Sequence, residues 1–220
     1  RENPAVPTGQ LRSLDLEVTV GDDFIPWGII GQNHLTVRAE ISSDQFLNSD
    51  FDYQLLQVNL DLRIPTFLRR RLLPNVFDVH VSGGTFSGNL PPQRYGTLNG
   101  ALQIFAPFPT FKSLIGKPYE GEKYVGIFGE HNFRTLPFEL IGWQWPVKNN
   151  IGIILHGALG RTWIAEDNLK KLSYHPVYLN HFHQEIGFSL NGIFNLFRLD
   201  LTRRLDKKES YISFSLSRIF

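Results

Sequence analysis

Hydrophobic and polar residues alternate along most of this chain. Leu14, Leu16, Val18 and Val20 interleave with Asp15, Glu17 and Thr19. Leu35, Val37, Ala39 and Ile41 interleave with Thr36, Arg38 and Glu40. Leu56, Val58, Leu60, Leu62 and Ile64 do the same with Gln57, Asn59, Asp61 and Arg63. The period returns through Phe77, Val79 and Val81, through Leu98, Leu102 and Ile104, and through Ile151, Ile153, Leu155 and Leu159. It continues in Ile186, Phe188 and Leu190, and in Phe197, Leu199 and Leu201. In the last ten residues, Tyr211–Phe220, one parity carries Ile212, Phe214, Leu216 and Phe220 and the other Ser213, Ser215 and Ser217. Successive side chains of a strand point to opposite faces, so each run predicts a strand with one apolar and one polar face. About ten strands follow. The pattern blurs between Tyr124 and His131. Helical periodicity is confined to a short amphipathic piece within Phe133–Trp145, limited by Pro137 and Pro146. No repeat or linker interrupts residues 1–220, which predicts a single all-β domain.

Alternating antiparallel strands suit two architectures. A soluble β-sandwich, or a lipocalin-like binder, turns its apolar face inward. A transmembrane β-barrel turns that face to lipid and its polar face to the lumen. Strand length favours the barrel. Ten residues at ~3.3 Å rise and ~45° tilt cover ~23 Å along the normal, close to the ~25 Å apolar band of such barrels. The polar parity carries Arg38, Glu40, Asp61, Arg63, Arg198, Asp200 and Arg204, which suits a hydrated lumen with opposed charges. With Phe220 periplasmic, Asn191–Leu196 is a short periplasmic turn, and Pro107–Lys123 and Thr162–Phe182 are long extracellular loops. Phe133–Asn149 breaks that asymmetry. Trp27, Trp143, Trp145 and Trp163 lie near strand ends or in loops, where a bilayer interface favours tryptophan.

Composition adds exclusions. The 220 residues contain no Cys, which removes disulfides, thiol catalysis and Cys-ligated metal sites. A net charge of +1 gives no field for nucleic acid. No apolar run approaches the ~20 residues of a spanning helix, so a place in the bilayer requires a closed barrel. Met is also absent and the chain opens on Arg1. That predicts a processed protein or the C-terminal portion of a longer one.

Three stretches carry a resemblance: Lys123-Tyr-Val-Gly-Ile-Phe-Gly-Glu-His-Asn-Phe133, Gly192-Ile-Phe-Asn-Leu-Phe-Arg-Leu-Asp-Leu201, and the terminal strand ending on Phe220. Over residues 95–220 they resemble the C-terminal barrel of a family of large Bacteroidetes outer-membrane proteins. These carry an N-terminal carboxypeptidase-regulatory-like domain and have no known function. That barrel is similar to the bacterial surface-antigen superfamily, which includes the barrel-assembly insertase. Arg218 looks like the basic residue that some insertase barrels carry near their end. The resemblance implies that the strands seen here belong to a barrel of up to about sixteen. It also implies a C-terminal closing and assembly signal in Ile212, Phe214, Leu216, Arg218 and Phe220. Insertase-type barrels place an Arg-Gly-Phe or Arg-Gly-Tyr motif in a long loop folded into the lumen. The equivalent loop, Pro107–Lys123, has none.

Candidate chemistry is sparse. His181, His183 and Glu185 share a parity, and the period of two predicts all three on the lumen face. Such a set lines a lumen or binds a divalent ion. Same-face neighbours about 7 Å apart are wide for one ion, so polar lining is the plainer expectation. Glu130 and His131 are adjacent and face opposite ways. No Ser–His signature marks a nucleophile. Arg69, Arg70 and Arg71 form the one basic run, in an expected extracellular loop between Pro65 and Pro74; a solvated loop is the plainer expectation, and contact with lipopolysaccharide phosphates the functional one.

The function expected is therefore a non-enzymatic outer-membrane barrel, structural or assisting assembly or transport in an envelope complex. Its partners are outer-membrane lipid, lipopolysaccharide, the barrel-assembly machinery during biogenesis and other envelope proteins. No cofactor and no nucleic acid enter. The alternatives are a barrel-embedded enzyme acting on lipid or lipopolysaccharide, with His181, His183 and Glu185 as its site, and the soluble binder.

Overall fold

The computed structural model describes residues 9–21, 33–68 and 71–217. Its main feature is one antiparallel sheet of nine strands. In spatial order these are β1 (Leu14–Gly21), β2 (His34–Ser42), β3 (Tyr53–Pro65), β4 (Val76–Gly88), β9 (Lys123–Arg134), β10 (Gly152–Trp163), β11 (His183–Ile193), β12 (Phe197–Arg204) and β13 (Glu209–Leu216). Neighbours in the sheet follow one another along the chain, except that β5 to β8 intervene between β4 and β9. These four short strands, β5 (Gly96–Leu98), β6 (Gly100–Ala101), β7 (Phe111–Ile115) and β8 (Tyr119–Gly121), form two small pairs. β3 and β4 run for 13 residues and pair from Tyr53↔Gly88 to Pro65↔Val76. Among the described residues the sheet stays open, with β1 and β13 at its edges. The β13 edge is touched at one point, where the Phe214 N–H donates to the Ile104 carbonyl at 2.6 Å and the Phe214 carbonyl accepts from the Ala106 N–H at 2.8 Å.

The two faces are buried in the opposite sense to a soluble sheet. On β11, His183, Glu185, Ser189 and Asn191 are buried while Ile186 and Phe188 are exposed. On β12, Arg198, Asp200, Thr202 and Arg204 are buried. On β13, Ser213 and Ser215 are buried while Ile212, Phe214 and Leu216 are exposed. β10 exposes Leu155, Leu159 and Trp163. The polar face is the inner one.

The inner face is covered by the connection between β4 and β9, residues 89–122. Its apolar nucleus packs Leu98, Phe111, Leu114 and Tyr119 against Tyr124 and Phe128 of β9, with Leu179 from the β10–β11 connection. Inward aromatics explain why the alternation blurs on β9: Tyr124 and Phe128 sit where the other strands carry polar groups. Glycines open the seat. A Cβ on Gly160 would stand 2.7 Å from the Phe111 ring and 3.0 Å from Leu98, and one on Gly126 would stand 2.7 Å from Leu98. The inner face along β9 to β13, expected to line a hydrated lumen, is thus covered by this connection around Leu98 and Phe111.

Four short helices lie in connections. They are α1 (Asp44–Leu47), α2 (Leu136–Leu140), α3 (Gln144–Lys148) and α4 (Glu166–Lys171). α2 falls within the helical piece read from Phe133–Trp145, whereas α3 runs on past Trp145 and through Pro146. No helix among the described residues is long and apolar enough to cross a membrane.

Antiparallel order puts the connections at two ends. Residues 66–75, 135–151 and 194–196 share the end at which β13 finishes, called here the lower end. Residues 89–122, 164–182 and 205–208 share the upper end. This corrects the placement of the arginine run. A periplasmic end for β13 and an extracellular Arg69–Arg71 loop are incompatible, because both lie at the lower end. Arg71 there forms a two-pronged pair with Glu139 of α2, at 3.0 and 2.8 Å. Arg69 and Arg70 lie outside the described residues, as do Trp27, Arg218 and Phe220.

Candidate functional site

The inner face of β9, β11, β12 and β13 carries a buried ionic network, and β7 of the inserted connection completes it. Arg198 on β12 is 1% exposed. Its Nη1 and Nη2 donate to Glu130 Oε2 and Oε1 at 2.8 and 2.6 Å. Its Nε donates to Asp200 Oδ1 at 2.7 Å, and Nη2 also reaches Ser189 Oγ at 2.9 Å. Period two puts Arg198 and Asp200 on one face, and register brings Ser189 opposite Asp200. Lys112 enters from β7. Its Nζ donates to the Ala106 carbonyl at 3.0 Å and lies 3.6 Å from Glu130 Oε1 and 3.5 Å from Asp200 Oδ1. Two cations therefore face the carboxylates of Glu130 and Asp200. His156 bridges Ser189 Oγ and Thr202 Oγ1 at 3.1 and 3.0 Å.

Glu185 holds the tip of the connection. Its carboxylate accepts the Lys112 and Ser113 backbone N–H groups at 2.7 and 3.0 Å and the Ser113 hydroxyl at 2.6 Å. His183 stands beside it, with Nε2 2.9 Å from Ser113 Oγ and 3.2 Å from Glu185 Oε2, and Nδ1 2.9 Å from Tyr119 OH. The Ser113 hydroxyl donates its proton to Glu185. A Ser–His nucleophile needs that proton directed to the histidine. Residual space around Lys112, Glu130, His156 and Glu185 is about 10 Å3, room for one water at most. Geometry makes this a fastening, without access for a substrate.

A second fastening lies toward β2. Arg94 Nη2 of the connection is 3.0 Å from Glu40 Oε1, and Tyr53 donates its hydroxyl to the same oxygen at 2.8 Å. At the upper end, Glu122 accepts the Ala165 N–H at 2.8 Å and the Tyr95 hydroxyl at 3.3 Å, and a bond from Asn168. This ties α4 to the insert. At the lower end the inner face opens into a cleft of about 440 Å3.

The expected trio of His181, His183 and Glu185 divides. His183 and Glu185 come together inside. His181 precedes β11, is largely exposed and pairs with Asp206 Oδ2 at 3.2 Å. Burial works against the Asp206 charge, yet hydrogen bonds from Arg204 and His181 hold its carboxyl far below the usual range. Among the described residues no three His, Cys, Asp or Glu side chains converge as a metal ion requires. Glu130 and His131 point to opposite faces. Glu130 faces the network, and His131 packs outward against Phe67 and Phe133, with centroids 5.7 and 3.9 Å away.

Lys112, Ser113 and Arg94 were not singled out by their sequence. Their partners lie far along the chain, and the one local signal is a cation in the otherwise apolar run Phe111-Lys-Ser-Leu-Ile115. The connection lacks an Arg-Gly-Phe motif and still folds onto the inner face, with Lys112 supplying the buried charge. No protein-family model matches the chain, and no curated protein matches it.

Proposed function

We propose that this chain forms part of an outer-membrane β-barrel, non-enzymatic, whose inner face is plugged by its own 89–122 connection. It serves as a structural or assembly and transport component of the envelope. One observation carries the reading: a nine-stranded sheet buries its ionic face and leaves its apolar face exposed. In water that arrangement exposes a contiguous apolar surface no soluble monomer tolerates. In hydrocarbon it is the stable sense.

Outward aromatics support it. Phe67, Phe77, His131 and Phe133 cluster near the lower end of β3, β4 and β9. Trp163 and Phe182 lie near the upper end, with the Arg161 guanidinium 4.9 and 5.6 Å from their rings. Lys123, the register partner of Trp163, precedes Phe133 by ten residues. At ~3.3 Å rise and ~45° tilt this separates the two levels by ~23 Å, the height of an apolar band between aromatic girdles. The short connections 66–75 and 194–196 at the lower end, against 89–122 and 164–182 at the upper, support a periplasmic lower end. Closure takes pairing of the β1 and β13 edges, directly or through further strands. Partners on this reading are outer-membrane lipid and lipopolysaccharide, the assembly machinery that inserts barrels, and other envelope proteins. A plug fastened at Glu40, Glu130, Asp200 and Glu185 suits a gated conduit or an assembly platform better than an open pore.

Cell fractionation tests the reading. The protein is expected in the outer-membrane fraction, resistant to urea extraction and dependent on detergent for solubility. A monodisperse protein in detergent-free buffer would overturn it.

A further inference from the structure

The lower end carries a feature that neither the plug nor the strands use. In the connection Leu136–Lys148, the side chains of Leu140, Ile141, Trp143 and Trp145 are exposed, Leu140 by 77% and Trp145 by 61%. They are held in place from below. Phe138 is buried and meets the Trp143 ring edge-to-face at 5.5 Å, and the Trp143 backbone N–H donates to the Phe138 carbonyl at 2.9 Å. Asn149 Nδ2 donates to the Trp145 carbonyl at 2.8 Å. A segment ordered by such contacts while presenting two indoles and two aliphatic groups to its surroundings is built to meet another apolar phase.

We propose that α2 and α3 form an interfacial anchor, seated in the headgroup region of the phospholipid leaflet at the lower end. This rests on the barrel reading. Two observations select lipid over protein as the occupant. The segment lies against the lower ends of β9 and β10, where Leu155 is exposed on the outward face. Its charge is also suitable. Glu139 and Lys148 are the charged residues of Leu136–Lys148. Arg71 neutralises Glu139 through two hydrogen bonds, which leaves Lys148 as the net charge toward anionic headgroups. Indole rings favour this depth because ring and N–H meet different solvents. The device gives the longest lower-end connection a role: it fixes the height of β9 and β10, the strands that flank the plug's apolar seat.

The test uses the protein reconstituted in phosphatidylethanolamine–phosphatidylglycerol vesicles. One variant keeps Trp143 and Trp145 and carries phenylalanine at Trp27 and Trp163. A second keeps Trp163 alone. Lipids brominated near the carbonyl end of the acyl chain are the quencher. Trp143 and Trp145 are expected to be quenched at least as strongly as Trp163 and to resist acrylamide. Lys148→Glu is expected to weaken that quenching in vesicles containing phosphatidylglycerol and to leave it unchanged in phosphatidylethanolamine–phosphatidylcholine vesicles. Quenched Trp163 with unquenched, acrylamide-accessible Trp143 and Trp145 would overturn the anchor and leave the barrel standing. Trp143 and Trp145 unquenched by lipid yet shielded from acrylamide would mean a protein partner, and would overturn it too. Unquenched Trp163 would overturn the barrel reading itself.

Discussion

Arg198 and Glu130 lie 68 positions apart and meet in a parallel two-pronged ion pair, 2.8 and 2.6 Å, on the inner face of the sheet. Both are almost fully buried. The pair ties β12 to β9 across β10 and β11, and Lys112 of the plug rests on the same carboxylate. Removing one partner of a buried pair leaves the other charge unmatched. Arg198→Ala is therefore expected to destabilise the folded protein by ~3–5 kcal/mol, read as a lower urea midpoint. Replacing both partners, as in R198M with E130L, is expected to cost less than Arg198→Ala alone. A double variant at least as unstable as the single one would show that the pair is not coupled.

Glu185 fixes the plug through bonds that need an unprotonated, correctly placed carboxylate. Two of its donors are backbone groups, so no change at Lys112 or Ser113 can replace it. The chain has no Cys, so Leu114→Cys is a unique reporter at the buried tip. In that background the thiol is expected to react slowly with maleimide. Adding Glu185→Ala is expected to accelerate labelling by tenfold or more, about 1.4 kcal/mol of lost protection. Equal rates in the two backgrounds would show that Glu185 does not hold the tip.

Glycine placement gives a steric test. Gly160 has the Phe111 ring 2.7 Å from where its Cβ would stand, whereas Gly129 on the outward face has its nearest atoms at 3.5 Å. Gly160→Val must displace Phe111 or Leu98, and overpacking of this kind costs ~1–3 kcal/mol. Gly129→Ala should be tolerated. The measurement is the urea midpoint of each, and equal values would mean that the insert does not seat on Gly160.

What the sequence made legible follows from where each signal resides. Strands β1 to β4 and β10 to β13 are visible in the alternation because one face of each is mostly apolar over several consecutive positions, a property local to the strand. β9 is obscured because its inward face packs the plug through Tyr124, Gly126 and Phe128. The plug itself is invisible. Phe111 and Leu98 read as ordinary loop or strand residues until Gly126 and Gly160 are known to stand opposite them. His183 and Glu185 share a face because both belong to β11, but His181 lies before the strand begins, where the period of two no longer holds. The 66–75 turn shares an end with the finish of β13 by strand parity, which the basic character of Arg69–Arg71 does not reveal.

The Arg71–Glu139 pair predicts a pH response at the lower end. Hydrogen bonds from Arg71 and Thr135 lower the Glu139 carboxyl from its ordinary 4.5 to about 2. A carboxyl lowered in the folded state stabilises it above the ordinary value and loses that contribution as pH falls through the folded one. The tie between the 66–75 turn and α2 is thus expected to persist at pH 4 and to release near pH 2. Carbon-13 titration of the Glu139 carboxyl checks this, and Arg71→Ala should return the midpoint toward 4.5. A midpoint already near 4.5 in the unsubstituted protein would rule the pair out.

The outward face offers the sharpest contrast between membrane and water. Leu159 is partly exposed near the middle of β10, with Ile127 of β9 as its register partner, and neither belongs to the apolar nucleus under the plug. On a water-facing surface Leu159→Arg changes stability by no more than about 0.5 kcal/mol. Facing the middle of a bilayer, the same change costs ~2–4 kcal/mol. Unfolding of L159R in lipid vesicles is expected to show the larger loss, and L159Q a smaller one, because a neutral amide is less costly to desolvate than a guanidinium. A loss within about 0.5 kcal/mol for L159R would place Leu159 in water and remove the physical basis for reading this sheet as a barrel wall.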